Sequence, residues 1–173
     1  MNSLRRRWMG ILTLVVLSAF AAVQVVTSHA GHADYPIVLR FHTMIGNTPD
    51  FTINGVESDE LPWVIRHAEG TLHADGTINL EVRGLVFAND PTVPANLRGT
   101  NDETSFKAIV SCMTLDATGK PVTVNLTTKA FPASKKGNSR IHDRVVLPHP
   151  CVAPIVFVVG EEGKWFAATG VGL

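Results

Sequence analysis

Two cysteines and seven histidines are the residues of this 173-residue chain best suited to chemistry. Cys112 lies in "AIVSCMTL", and Cys151 lies among three prolines in "LPHPCVAPIVFVV". Such residues serve as a thiolate–imidazole nucleophile with His149, as a metal site, or as a disulfide. The first two lack a complete motif: no H-E-x-x-H is present, and no histidine joins the cysteines at zinc spacing. In an oxidising compartment an even count of two leaves one possible bridge, Cys112–Cys151. It closes a loop of about 40 residues, worth roughly 4 kcal/mol by chain entropy. Cys151 reads as one end of a staple.

The histidines His32, His42, His67, His73, His142 and His149 are scattered along the chain and read as surface or turn residues. Cutting after Ser28 would expose an amino-terminal His29, a copper chelator in principle, without the other residues of such a site. There is no G-x-S-x-G elbow, P-loop or G-x-G-x-x-G, and neither cofactor nor metal is expected. Carboxylates are dispersed. Asp143 falls between Ile141 and Val145 on an apolar face, and needs Arg140, Arg144 or backbone amides as partners. "NLT" at 125–127 has the form of a glycosylation acceptor, and "SKKGNSR" (134–140) reads as a solvated hairpin loop.

The longest interval without strand character is "ANDPTVPANLRGTNDETS", Ala88 to Ser105. Asn89, Asp90, Asn101, Asp102 and Glu103 offer oxygen donors of the kind Ca²⁺ takes, and Arg98 adds the opposite charge. Long loops in compact domains tend to be functional. These six residues form the candidate binding loop.

The elements that must position these groups are strands. "GTINLEVRGLVF" puts Ile78, Leu80, Val82 and Val86 on one face and Asn79, Glu81 and Arg83 on the other. "PVTVNLTTKAF" repeats the pattern, with Val122, Val124 and Leu126 inward. "SFKAIVSCMTL" and "APIVFVV" are apolar on both faces, which predicts central strands covered on each side. In "NSRIHDRVVL", Ile141, Val145 and Leu147 point inward. Gly-bearing turns at 73–77, 116–121 and 161–165 predict three hairpins: 64–73 with 77–87, 106–115 with 121–130, and 153–159 with 164–169. Strands near 36–43 and, weakly, 51–56 complete the set. Pro148, Pro150 and Pro154 interrupt pairing between 140–147 and 154–159, so the segment between them is an extended crossing. The fold class is all-β, an antiparallel β-sandwich or Greek-key barrel in one domain.

The first thirty residues read differently. Arg5, Arg6 and Arg7 precede an uncharged, largely apolar run from Trp8 to Val26, and Ser28 and Ala30 supply the small residues of a cleavage site. Residues 1–30 are expected to be a signal peptide, with Ala33 as the alternative cut. Residues 31–173 are expected to be the β-sandwich domain, with no stable membrane span after cleavage. The whole chain is formally neutral, so the part beyond residue 30 carries about −3. It shows no basic stripe for nucleic acid.

From Gly70 onward the chain resembles a group of uncharacterised exported bacterial β-rich proteins with a paired-cysteine C-terminal half. The residues that carry the likeness are "GTLHADGTINLEVRGLV", "FKAIVSC", "FPASKKGNSRIHDRVVLPHPC" and "CVAPIVFVVGEEGKWFAATG", about a hundred residues in all. The resemblance implies export and a single β domain, and no activity. The expected function is an extracytoplasmic binding or structural module whose partner is a surface protein or glycan. The competing expectation is a secreted hydrolase or metal-dependent enzyme with a site assembled from dispersed His and Asp residues.

Overall fold

Gly76, Gly119 and Gly163 hold φ of 88°, 82° and 82°, the left-handed region that tight reversals need and that glycine enters without steric penalty. They sit in the turns of the three predicted hairpins, and all three hairpins form. The computed structural model describes residues 35–170, within a compact unit spanning Asp34–Leu173. The expected signal peptide, both cut sites, His29 and His32 lie outside the described residues.

The strands are β1 (Ile37–Phe41), β2 (Ile45–Gly46), β3 (Thr52–Ile53), β4 (Val56–Glu57), β5 (Trp63–Val64), β6 (His67–His73) and β7 (Thr77–Arg83). They continue with β8 (Val86–Phe87), β9 (Ser105–Leu115), β10 (Pro121–Thr127), β11 (Phe131–Pro132), β12 (Ser139–Arg144), β13 (Val152–Val159) and β14 (Trp165–Ala168). A four-stranded sheet runs β1-β6-β7-β12, and a six-stranded sheet runs β10-β9-β13-β14-β2 with β11 also on β9. Two ribbons, β3–β4 and β5–β8, flank them. Every named pairing is antiparallel. The described chain is an all-β sandwich without helices.

Alternation dictates the core. Leu72, Ile78, Leu80 and Val82 from the four-stranded sheet join Phe106, Val110, Cys112, Val156, Val158 and Phe166 from the other in one buried cluster. Each such large side chain contributes about 1.5–3 kcal/mol by leaving water. Trp63 stacks on Phe166 with centroids 4.1 Å apart and lies equally close to Phe87. Asn47 fixes the segment that carries this tryptophan: its Nδ2 donates to Asp59 O and Leu61 O, and its Oδ1 accepts from Trp63 N (2.8 Å). A second cluster of Val56, Ile109, Phe157, Val159 and Trp165 forms where β3–β4 covers the outer face of the six-stranded sheet. β9 and β13 are therefore covered on both sides over Phe106–Cys112 and Val156–Val159, as their sequences predict, whereas Met113, Leu115 and Val152 stand exposed at their other ends. Gly70 allows Phe41 to lie across it, since a Cβ there would stand 2.6 Å from the Phe41 ring.

Four expectations are corrected. Val86 does not continue the buried face of Ile78, Leu80 and Val82; Leu85 and Phe87 are buried instead. Both strands of the hairpin change phase at Arg66 and Gly84, where Gly84 has φ 69°, so the predicted pair is two short ladders in sequence. β12 ends at Arg144 rather than Leu147. Val145 and Leu147 still point inward, while Val146 is 88 % exposed. Val122 is exposed at the rim, and only Val124 and Leu126 are half-buried on that face. The weak 51–56 strand is the β3–β4 ribbon, which turns at Asn54 and Gly55.

The proline segment crosses between sheets, since β12 belongs to one and β13 to the other. Pro154 itself lies within β13, at a bulge between Val152 and Ile155. Cys151 bonds Cys112 of β9, with Cα atoms 5.0 Å apart. The bridge is intramolecular, and it belongs to an oxidising environment.

Candidate functional site

The Ala88–Ser105 loop turns its polar groups on itself. Asn101 is fully buried: Nδ2 donates to Glu103 O and Ser134 O (both 2.9 Å), and Oδ1 accepts from Glu103 N (3.0 Å). Asp90 accepts from the Thr92 amide and hydroxyl. Arg98 donates to Val93 O and Pro91 O. Val93 is buried and Leu97 packs against the main core. Of the six candidate residues, Asn89 and Asp102 have exposed side chains without a hydrogen bond among the described residues. Asn101, Asp90 and Arg98 act as braces, and the segment is packed structure rather than a free loop.

Glu103 is half-buried against Gly160. Burial, followed by the nearby carboxylates of Asp102, Glu161 and Asp59, raises its pKa above the ordinary value. No group of three or more His, Cys, Asp or Glu is placed to hold a metal ion among the described residues.

The other singled-out groups resolve locally. Asp143 takes backbone amides, accepting from Lys129 N at 2.8 Å; that bond and the Arg144 amide hold its pKa low. Asn125 of the "NLT" motif donates from Nδ2 to Asn54 O (2.9 Å), the nitrogen a glycan would need. The 134–140 loop exposes Lys135 and Lys136 but buries Gly137, whose carbonyl accepts from Leu85 N.

The structure gathers what the sequence scatters on the outer face of the four-stranded sheet. Because Ala68, Leu72, Ile78, Leu80, Val82 and Ile141 point inward, period-two geometry turns their neighbours outward. One cross-strand row reads Arg40, Thr71, Asn79, His142, and the next holds Glu69, Glu81 and Arg140. His142 donates from Nδ1 to Asn79 Oδ1. Glu81 meets Arg83 at 2.6 Å and Arg140 at 3.3 Å, and its pKa is held low mainly by Arg83. A shallow trough of about 460 Å³ separates Arg40, His42 and Glu69 from Arg140 and His142. It adjoins a second hollow along Glu81, Arg83 and Arg140 that shares Asn138 with a third, beside Arg66 and Lys136.

Charge is segregated accordingly. Five of the six arginines among the described residues, Arg40, Arg66, Arg83, Arg140 and Arg144, lie on this sheet or at its strand ends. The same sheet and its strand ends carry four carboxylates: Glu69, Asp75, Glu81 and Asp143, the last turned to the Lys129 amide. Arg40 and Arg66 make no ion pair among the described residues, whereas Arg144 reaches Asp75 at 3.6 Å. Asp59, Asp102, Glu103 and Glu161 cluster instead near the β13–β14 turn.

A guanidinium fork suits carboxylate, sulfate or phosphate, and the Thr and Asn side chains between suit hydroxyl groups. The outward positions of β6, β7 and β12 carry no apolar side chain. No family model, curated protein or solved structure matches the chain.

Proposed function

We propose that this protein is an extracytoplasmic binding module that holds an acidic glycan on the outer face of its four-stranded sheet. The observation that carries the reading is the arginine-bearing face described above, whose outward positions on β6, β7 and β12 are all polar, on a domain whose formal charge is otherwise negative. The disulfide and the residues 1–30 reading support placement outside the cytoplasm. The proposal places the binding surface on the sheet rather than on the 88–105 loop, where Asp90, Arg98 and Asn101 are engaged by Thr92 and by backbone carbonyls and amides.

Binding is tested by retention of the purified protein on immobilised polygalacturonate, with neutral dextran as the control. Arg140 is 79 % exposed, and its link to Glu81 is a surface pair worth little to stability. Each lost guanidinium contact should remove about 1 kcal/mol, so Arg40→Gln with Arg140→Gln weakens retention about thirtyfold at an unchanged melting temperature. Equal retention on both polymers, or a double variant that binds as the parent does, overturns the reading. Amino-terminal sequencing of secreted protein tests the export proposal, which requires a start at Gly31 or Asp34.

A further inference from the structure

The edges of the two sheets are not treated alike. A free edge presents unpaired N–H and C=O groups, and proteins blunt it with charge, bulges, short strands or cover. β1 has a bulge between Ile37 and Leu39 and carries Arg40. β2 is two residues long. β12 is flanked by the 129–132 segment, whose Lys129 amide bonds Asp143. β10 has no charge, bulge or shortness to protect it, and its cover is limited to the ribbon's Asn54, which takes Asn125 Nδ2 on the outer face. Its seven residues, "PVTVNLT", contain no charge, place proline only at the first position and pair with β9 in unbroken register. Among the described residues no hydrogen bond reaches its backbone from the free side.

We propose that β10 pairs antiparallel with β10 of a second copy of this chain across a two-fold axis, joining two six-stranded sheets into one. The strand is complementary to itself. An axis through Val124 sets Val122 opposite Leu126 of the second copy, so apolar side chains meet on the inner face. Thr123 falls opposite Asn125 of the second copy, so polar side chains meet on the outer face. Lys120 then opposes Thr128. Lys129 opposes Gly119, in the turn where Asp116 anchors three hydrogen bonds as an acceptor. Within the strand no like charges are opposed. Val122, which is 37 % exposed in the single chain, gains cover. The shared ladder spans about 23 Å, a short seam of the kind that weak, concentration-dependent dimers use. The pairing is isologous and closed, and it places two arginine-bearing faces on one particle, which strengthens attachment to a polymer by effective concentration.

Sedimentation velocity of the purified protein from about 1 µM to 1 mM reads the outcome. The mass should rise from one chain to two and no further. Thr123 is exposed without a side-chain hydrogen bond, so Thr123→Lys leaves the fold intact while setting like charges across the axis; it should weaken association at least tenfold. Val124→Lys should abolish it. Amide exchange in Val122–Leu126 of the parent should slow as concentration rises. A monomer across the whole range overturns the proposal, as does a mass above two chains. A dimer that both variants leave unchanged, or whose β10 amides exchange alike at all concentrations, also overturns it.

Discussion

Replacing Cys112 and Cys151 together by alanine isolates what the staple does. The bridged residues are 39 apart, and chain-entropy arithmetic for a loop of that length gives about 4 kcal/mol. Two local effects modify the figure in opposite directions. Pro148, Pro150 and Pro154 already restrict the open chain, which lowers the entropy the bridge removes. Cys112 is fully buried, so losing its sulfur leaves a small void worth about 1 kcal/mol. The sum stays near 4 kcal/mol, a large share of the roughly 5–15 kcal/mol a domain possesses. With a urea slope of about 2 kcal/mol per molar, the midpoint should fall by about 2 M. The loss should be local as well as global. Residues 146–151 make no backbone–backbone hydrogen bond outside strands, so amides from Val145 to Ile155 should exchange faster than those of β6 and β7. An unchanged urea midpoint would refute the reasoning, because it would mean that the crossing is held by packing of Val145 and Leu147 alone.

Asn101→Ala should destabilise the domain by about 3 kcal/mol in urea titration, since three hydrogen bonds to a buried amide are lost together. Glu103 has a raised pKa, so its charged form opposes folding above that pKa. Glu103→Gln should therefore raise the melting temperature at pH 7, and the gain should vanish below about pH 4.5, where the carboxyl is protonated. Asp75, Glu81, Asp90, Asp116 and Asp143 are shifted the other way, led respectively by the Thr77 amide, the Arg83 guanidinium, the Thr92 hydroxyl, the Thr118 hydroxyl and the Lys129 amide. Their contribution is complete above the unfolded values of 3.8 and 4.5 and is lost as pH falls through the lower folded values, so acid unfolding should steepen below about pH 4. Ala153 holds φ 45° at the β13 bulge; Ala153→Gly should relieve about 1 kcal/mol, read as a higher thermal midpoint.

The hairpins were legible because their cause is local: a glycine at the turn and alternation on either side. Val86 was misread because alternation was extended through Gly84, where both partners change phase together and no single strand records it. The internal bracing of the 88–105 loop was hidden for a related reason. Asn, Asp and Pro have the same composition whether they face solvent or bond their own backbone, and the partner of Asn101 at Ser134 lies far along the chain. The arginine face was invisible in a chain of zero net charge. Arg40, Arg83 and Arg140 become neighbours only through the registers of β1, β6, β7 and β12, which sequence separation conceals.

The strand order also carries a statement about time. β2, near residue 45, is held by β14, and β9 waits for β13 some forty residues later. During synthesis the β6–β7 and β9–β10 hairpins can each close on their own, but the six-stranded sheet cannot take in β2 until Trp165–Ala168 has been made. Contacts so distant along the chain slow the search for the native state to milliseconds or longer. The first part of the six-stranded sheet to be made, β2, is therefore joined to it only through its last, β14.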